Sequence, residues 1–240
     1  MRIISIASAK GGVGKTTLVS NLGVVLASEF DKNVMVVDCN ITTSHLGMHL
    51  GMDNFPVTLN HILKGKADIT DAIYRHSSGL KILPSSMSLK DMNGVDVFLL
   101  KSVINRIFKK HYGKIDFLLL DCAPGLGREA MSAFRASKEI IFVTTPLLPS
   151  VADVIRCKHA VNDINLNQLG TVLNMVRGKS IELSAKDVER ITNTSVLASL
   201  PMDDNHIKGI AIGTPITVLN SRSKLSRGIK KLAKTVIMER

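Results

Sequence analysis

Four unbroken apolar runs constrain this chain more than any other feature: "RIISIAS" (2–8), "NVMVVD" (33–38), "IDFLLLD" (115–121) and "EIIFVTT" (139–145). None alternates polar with apolar residues. A strand covered by helices on both faces has no polar side, so runs of this kind predict buried parallel strands. "LKILPSS" (80–86), "QLGTVLN" (168–174) and "VLASLP" (196–201) extend the series. Between the runs the apolar spacing becomes helical. "KTTLVSNLGVVLASEF" (15–30) places Leu18, Leu22, Val25 and Leu26 on one face, and "VFLLKSVINRIFKKHY" (97–112) does so with Leu99, Val103, Ile107 and Phe108. Strand alternating with helix implies an α/β fold with a doubly wound, mostly parallel sheet and helices on both faces. Ligands of such sheets bind beyond the carboxyl ends of the strands.

The chain has 240 residues, 45% of them hydrophobic, enough for one sizeable core. With no internal repeat and no Pro-, Gly- or Ser-rich linker, it reads as one domain over 1–240. Residues 223–240 form a basic amphipathic C-terminal helix, with Leu225, Ile229, Leu232, Val236 and Ile237 on its apolar face. Three cysteines (Cys39, Cys122, Cys157) make no C-x-x-C pair and are odd in number, which argues against a disulfide framework and for the cytoplasm. The opening "MRIISIASA" runs directly into a glycine-rich loop and is not read as a signal peptide. The most apolar uncharged run, 140–152, is too short to span a bilayer. Net charge is +11, and residues 222–240 carry seven Lys/Arg against the single acid Glu239. That excess favours anionic partners and says nothing of fold. With no Trp and two Tyr, a stacking surface for single-stranded nucleic acid is not expected.

The loop "SAKGGVGKTT" (8–17) follows the first strand and opens the first helix, the context a phosphate-binding loop requires. Gly14, Lys15 and Thr16 match the end of the G-x-x-x-x-G-K-[ST] pattern, while Ala9 stands where its first glycine would be. Alanine is small, and Gly11 and Gly12 keep the close backbone approach. Backbone N–H groups turned inward at a helix N-terminus cradle phosphate oxygens. Lys15 would add a point charge on the β- and γ-phosphates, and the Thr16 hydroxyl would ligate Mg²⁺. Asp121, at the end of an apolar strand, would partner that metal. A glycine-rich turn without ligand is the plain alternative, and the strand–loop–helix context argues against it.

With Lys10 included, "KGGVGKTT" resembles the deviant phosphate loop of the MinD/ParA family of dimerising ATPases, and most closely the archaeal-type MinD members. "VVDCNITTSHLGMHLGM" resembles that family's first switch, "TLNHILKG" its following helix and "LLLDCAPGLG" its second switch. "VTTPLLPSVADV", "GTVLNMV" and "LPMDDNHIKGIAIGTPI" resemble the later segments, so the likeness covers nearly the whole chain. It implies ATP and Mg²⁺ as ligands. It makes Lys10, Lys15, Asp38 and Asn40 the catalytic group and Thr16, Asp38 and Asp121 the metal site. Nucleotide contacts would come from Lys10, Gly11, Gly12, Val13, Gly14, Lys15, Thr16 and Thr17, with Asn174 reading adenine and Pro201 and Asp203 flanking the base. Lys10 is the residue that would reach a partner's nucleotide across a two-fold interface. Where the family usually reads Asp-x-Asp in its first switch, this chain has Asp38 and Asn40, and a carboxamide has no oxygen to take a proton.

The expectation is therefore an ATP-dependent homodimer that recruits a protein partner on a face made only by the dimer, positions cellular machinery and hydrolyses ATP slowly. A ParA-like protein holding DNA non-specifically, less favoured, and a nucleotide-sensing scaffold with negligible hydrolysis are the alternatives. Location is expected to be cytoplasmic, with peripheral contact to an anionic inner-membrane surface left open. For the C-terminal helix, closing the fold is favoured over lying on lipid. Cys39 and Cys122, each following a motif aspartate, should be neighbours; packing is favoured over a redox role. No C-x-x-C supports an iron–sulfur cluster, and His45, His49, His61 and His76 lack zinc spacing.

Overall fold

Apolar runs become strands here because helices cover both of their faces. The computed structural model describes residues 1–110 and 114–239. Its strands are β1 (Arg2–Ala7), β2 (Val34–Cys39), β3 (Tyr74–Arg75), β4 (Lys81–Leu83), β5 (Phe117–Cys122), β6 (Glu139–Thr144), β7 (Asn167–Val176) and β8 (Val196–Pro201). Every residue of β2 and β5 is buried. The strands form one sheet in the order β3-β4-β2-β5-β1-β6-β7-β8, parallel throughout except for the edge pair β3–β4. The doubly wound sheet is thus as expected, and only β3 was not anticipated.

The helices are α1 (Lys15–Ser28), α2 (Leu46–His49), α3 (Leu59–Leu63), α4 (Leu89–Met92), α5 (Leu100–Lys110) and α6 (Arg128–Ala136). They continue with α7 (Leu148–Asn162), α8 (Ala185–Thr192), α9 (Asp204–Ala211), α10 (Ile216–Leu219) and α11 (Lys224–Met238). One core layer joins the sheet to α3, α5, α6 and α7; the other joins it to α1 and α11.

Two expectations need correction or completion. Asp96 accepts a hydrogen bond from the Phe98 backbone N–H at 3.0 Å and starts a tight turn over Val97–Leu99, so α5 begins only at Leu100. Its buried face is Leu100, Val103, Ile104 and Ile107, and Leu99 is exposed. The helix was expected to run through His111 and Tyr112, which lie outside the described residues. The C-terminal helix, by contrast, closes the fold. Leu225, Ile229, Leu232 and Val236 of α11 are buried against β8 and α1, and Ile237 is partly buried. Gly228 lets the helix lie close to β8, since a Cβ there would come 2.7 Å from Leu200 Cδ2. The Arg2 guanidinium binds the Val236 and Glu239 carbonyls and pairs with Glu139, tying the helix end to β1 and β6.

Candidate functional site

The carboxyl ends of β1, β2 and β5 meet at the middle of the sheet, where consecutive elements depart to opposite faces. Asp38 and Asp121 are register partners there on β2 and β5, and the following pair is Cys39 with Cys122. The two cysteines are thus neighbours, as expected, and both are buried and free. Burial pushes the Cys122 thiol up to about 12, and Cys39 well above the ordinary thiol range.

Both aspartates are almost fully buried. Asp38 is well satisfied: it accepts from the Ser44 hydroxyl at 2.7 Å, the Asn40 N–H at 3.0 Å and the Leu46 N–H at 3.2 Å. Asp121 is not, because its Oδ1 has no hydrogen-bond partner among the described residues. Burial raises both carboxyls above the ordinary carboxylate range. Asp38 raises Asp121 further, while the Thr16 hydroxyl and Lys15 pull it down. Two desolvated carboxyls side by side, one with an orphaned oxygen, fit a hard divalent cation, which takes oxygen ligands from one or two carboxylates and a hydroxyl. Thr16, Asp38 and Asp121 therefore fit Mg²⁺.

Above them the loop between β1 and α1 walls a cavity of about 460 Å³. Gly14 caps α1 with φ of 92°, a left-handed conformation that glycine adopts freely. A side chain there would also strike Asn174, whose Nδ2 would lie 2.3 Å from the added Cβ. The Asn174 amide donates to the Val13 carbonyl at 2.8 Å, so the loop and β7 are locked together across 161 positions. Lys15 is buried, and desolvation lowers its pKa while Asp121 opposes that shift. Gly11, Gly12, Thr16, Thr17, Asn40, Asn174, Pro201 and Asp203 share the same cavity. Val13 is buried beside it, contributing its carbonyl to Asn174. Lys10 is exposed and does not line the cavity.

The Asn40 carboxamide is engaged at both ends: Nδ2 donates to the Thr43 carbonyl at 2.6 Å, and Oδ1 accepts from the Thr43 hydroxyl at 3.0 Å. The second switch loop packs on the phosphate loop, where the Gly125 N–H donates to the Ser8 carbonyl at 3.1 Å. It joins the first switch through Glu129, which accepts from the Ile41 N–H at 3.2 Å.

Sequence reasoning missed His206, and of His45 and His49 it noted only that they lack zinc spacing. All three line the cavity. His206 lies inside the quoted "LPMDDNHIKG", but no spacing rule joins it to the other two. Burial holds His49 down to about 4 and lowers His206 as well. Among the described residues no cluster of three or more His, Cys, Asp or Glu has a metal-holding arrangement.

A glycine-lined loop between the first strand and first helix of a parallel sheet, over a cavity floored by buried acids, defines a P-loop nucleoside triphosphatase. The chain belongs to the ParA family, whose model, described as NUBPL iron-transfer P-loop NTPase, matches residues 1–237. An uncharacterized ATP-binding protein of Methanocaldococcus jannaschii is 34% identical, over 98% of this chain and 87% of its own length. Two solved structures align at a TM-score of 0.93. MinD of Pyrococcus horikoshii, complexed with Mg-ADP, is 34% identical over 99% of this chain and 96% of its own. The cell division ATPase MinD of Pyrococcus furiosus is 32% identical, with 98% of each chain covered.

Proposed function

We propose that this chain is an ATP-dependent dimerising switch, one domain over 1–240, that positions other cellular machinery and hydrolyses ATP slowly. The observation that carries the reading is the division between Lys10 and Lys15, the two lysines of the loop between β1 and α1. Lys15 is buried beneath the cavity, with its charge offset by Asp121, and is placed to neutralise phosphates bound in its own protomer. Lys10 stands exposed outside the cavity wall, where its charge is available to a second molecule.

Mg-ADP in the Pyrococcus horikoshii relative supports nucleotide and magnesium as this chain's ligands. In this reading Asn174, Pro201 and Asp203 flank the base and the loop holds the phosphates. Magnesium, when bound, offsets charge on the phosphate oxygens; Thr16, Asp38 and Asp121 would hold it. Asn40 positions the attacking water through its amide and takes no proton, so positioning carries the catalysis that remains. A protein partner on the dimer face has its parallel in the MinC:MinD complex of Aquifex aeolicus. The iron transfer in the family's description is not carried over. All three cysteines are buried, and no two of them form the C-x-x-C pair that a cluster site would use.

Size-exclusion chromatography with light scattering, in Mg-ADP and in Mg-ATP, tests the switch. The expected result is a monomer in ADP and a dimer in ATP, and a Lys10→Ala variant that binds ADP normally yet stays monomeric in ATP. A Lys10→Ala protein that dimerises as wild type does would refute it.

A further inference from the structure

His206 sits where three helices meet. Its Nε2 and the Thr17 hydroxyl on α1 share a hydrogen bond at 3.0 Å, between residues 189 positions apart. Its ring centroid lies 6.4 Å from that of His49 on α2. That helix begins just after Ser44 and is pinned through Ser44 and Leu46 to the Asp38 carboxylate. Close backbone approach reinforces the junction, since a Cβ on Gly213, beyond α9, would lie 2.5 Å from Gly51 Cα, beyond α2. Thr17 and His206 line one cavity together with the phosphate loop.

Proton accounting gives this contact a direction. The Thr17 hydroxyl has one proton, and a phosphate oxygen offers only lone pairs. For that proton to reach a phosphate, the imidazole must supply its own N–H to Oγ1, which assigns the Nε2–H tautomer. We propose that His206 is a positioning residue of the nucleotide site: it aims the Thr17 hydroxyl at the phosphates and fastens α9, which walls the cavity, to the phosphate-binding helix. The inference rests on the reading that the cavity holds a nucleotide.

The fold keeps a second fastening, which makes the role testable. One turn further along α1, the Asn21 Oδ1 accepts from both the N–H and the hydroxyl of Thr217 at 3.0 Å, while its Nδ2 donates to the Thr17 carbonyl at 2.9 Å. Losing His206 therefore leaves α10 anchored and the fold intact.

Calorimetric titration of the full chain with Mg-ADP reads the effect. His206→Ala should raise Kd about 3- to 10-fold, the loss of one hydrogen bond. His206→Gln, which places an N–H where Nε2 stood, should stay within about 2-fold of wild type. Thr17→Val should weaken binding, and adding His206→Ala to it should cost nothing further, because the shared bond is already gone. The melting temperature of the ligand-free protein should fall by no more than about 5 °C, the loss of one hydrogen bond. Several results would overturn the proposal: His206→Ala binding as wild type, Gln failing as Ala does, or the two substitutions multiplying independently. A much larger fall in ligand-free melting temperature with His206→Ala would overturn it as well, by making the role structural. Wild type that fails to bind ADP would sink the nucleotide reading and this inference with it.

Discussion

Helix α11 separates two ways of using an amphipathic C-terminus, and its removal should be severe. Leu225, Ile229, Leu232 and Val236 are between 0% and 4% exposed, so docking buries four large aliphatic side chains. Fully burying each is worth about 1.5–3 kcal/mol, or roughly 6–12 kcal/mol together. That is comparable to the whole stability of a typical domain, about 5–15 kcal/mol. Deleting residues 223–240 should therefore leave no cooperative melting transition at 25 °C or above. A milder variant keeps the experiment quantitative. Leu232→Ala empties a fully buried site against β8 and α1 and should cost about 2–5 kcal/mol. For a chain of this size that lowers the melting temperature by roughly 5–15 °C. Lys231 points to solvent on the same helix, and Lys231→Glu should change stability by no more than about 0.5 kcal/mol. Circular dichroism melts of the variants, with liposome pelleting of wild type alongside, decide the matter. A truncated protein that melts like wild type and no longer pellets with anionic liposomes would refute the reasoning and put α11 on the membrane.

Lys15→Ala should abolish ATP and ADP binding in a fluorescent-nucleotide titration, because it removes the buried cation that would neutralise the phosphates; affinity within a few-fold of wild type would show that the loop is not a phosphate cradle. Gly14→Ala forces a side chain into a left-handed backbone and against the Asn174 amide, and should cost about 2–4 kcal/mol from strain and the broken Val13 bond, read as lost stability and nucleotide affinity together. Asn40→Asp sets a carboxylate against the Thr43 carbonyl, freeing the side chain to act as a base; single-turnover hydrolysis should quicken by on the order of 10-fold or more with ATP affinity little changed, and equal rates would show that another group aligns the water.

How much of this was legible in the sequence follows from how local each feature is. β2 and β5 could be read because a strand buried on both faces must be apolar throughout, and their carboxyl ends already located Asp38 and Asp121. The register that pairs the two acids and leaves Asp121 Oδ1 without a partner could not be read, since it depends on which strands become neighbours. β3 is two residues long and exists only through its antiparallel pairing with β4, so no periodicity could announce it. The one misplaced residue of the α5 face, Leu99, had a local signal after all: Asp96 is an N-capping type of residue, and giving it weight would have shifted the start of the buried face from Leu99 to Leu100. His206 had none, because its partner Thr17 lies at the other end of the chain and one histidine beside a motif carries no spacing. α11 marks the limit of periodicity as evidence. An amphipathic stripe establishes that a helix has an apolar partner, and it looks the same whether that partner is lipid or protein. What decides the case is the acceptor surface on β8 and α1, assembled from segments roughly 180 residues apart and exposed only if the helix leaves. A membrane role for α11 would have to repay the burial it gives up there, while Lys224, Arg227, Lys231 and Lys234 on its outer face can meet an anionic surface without any such undocking.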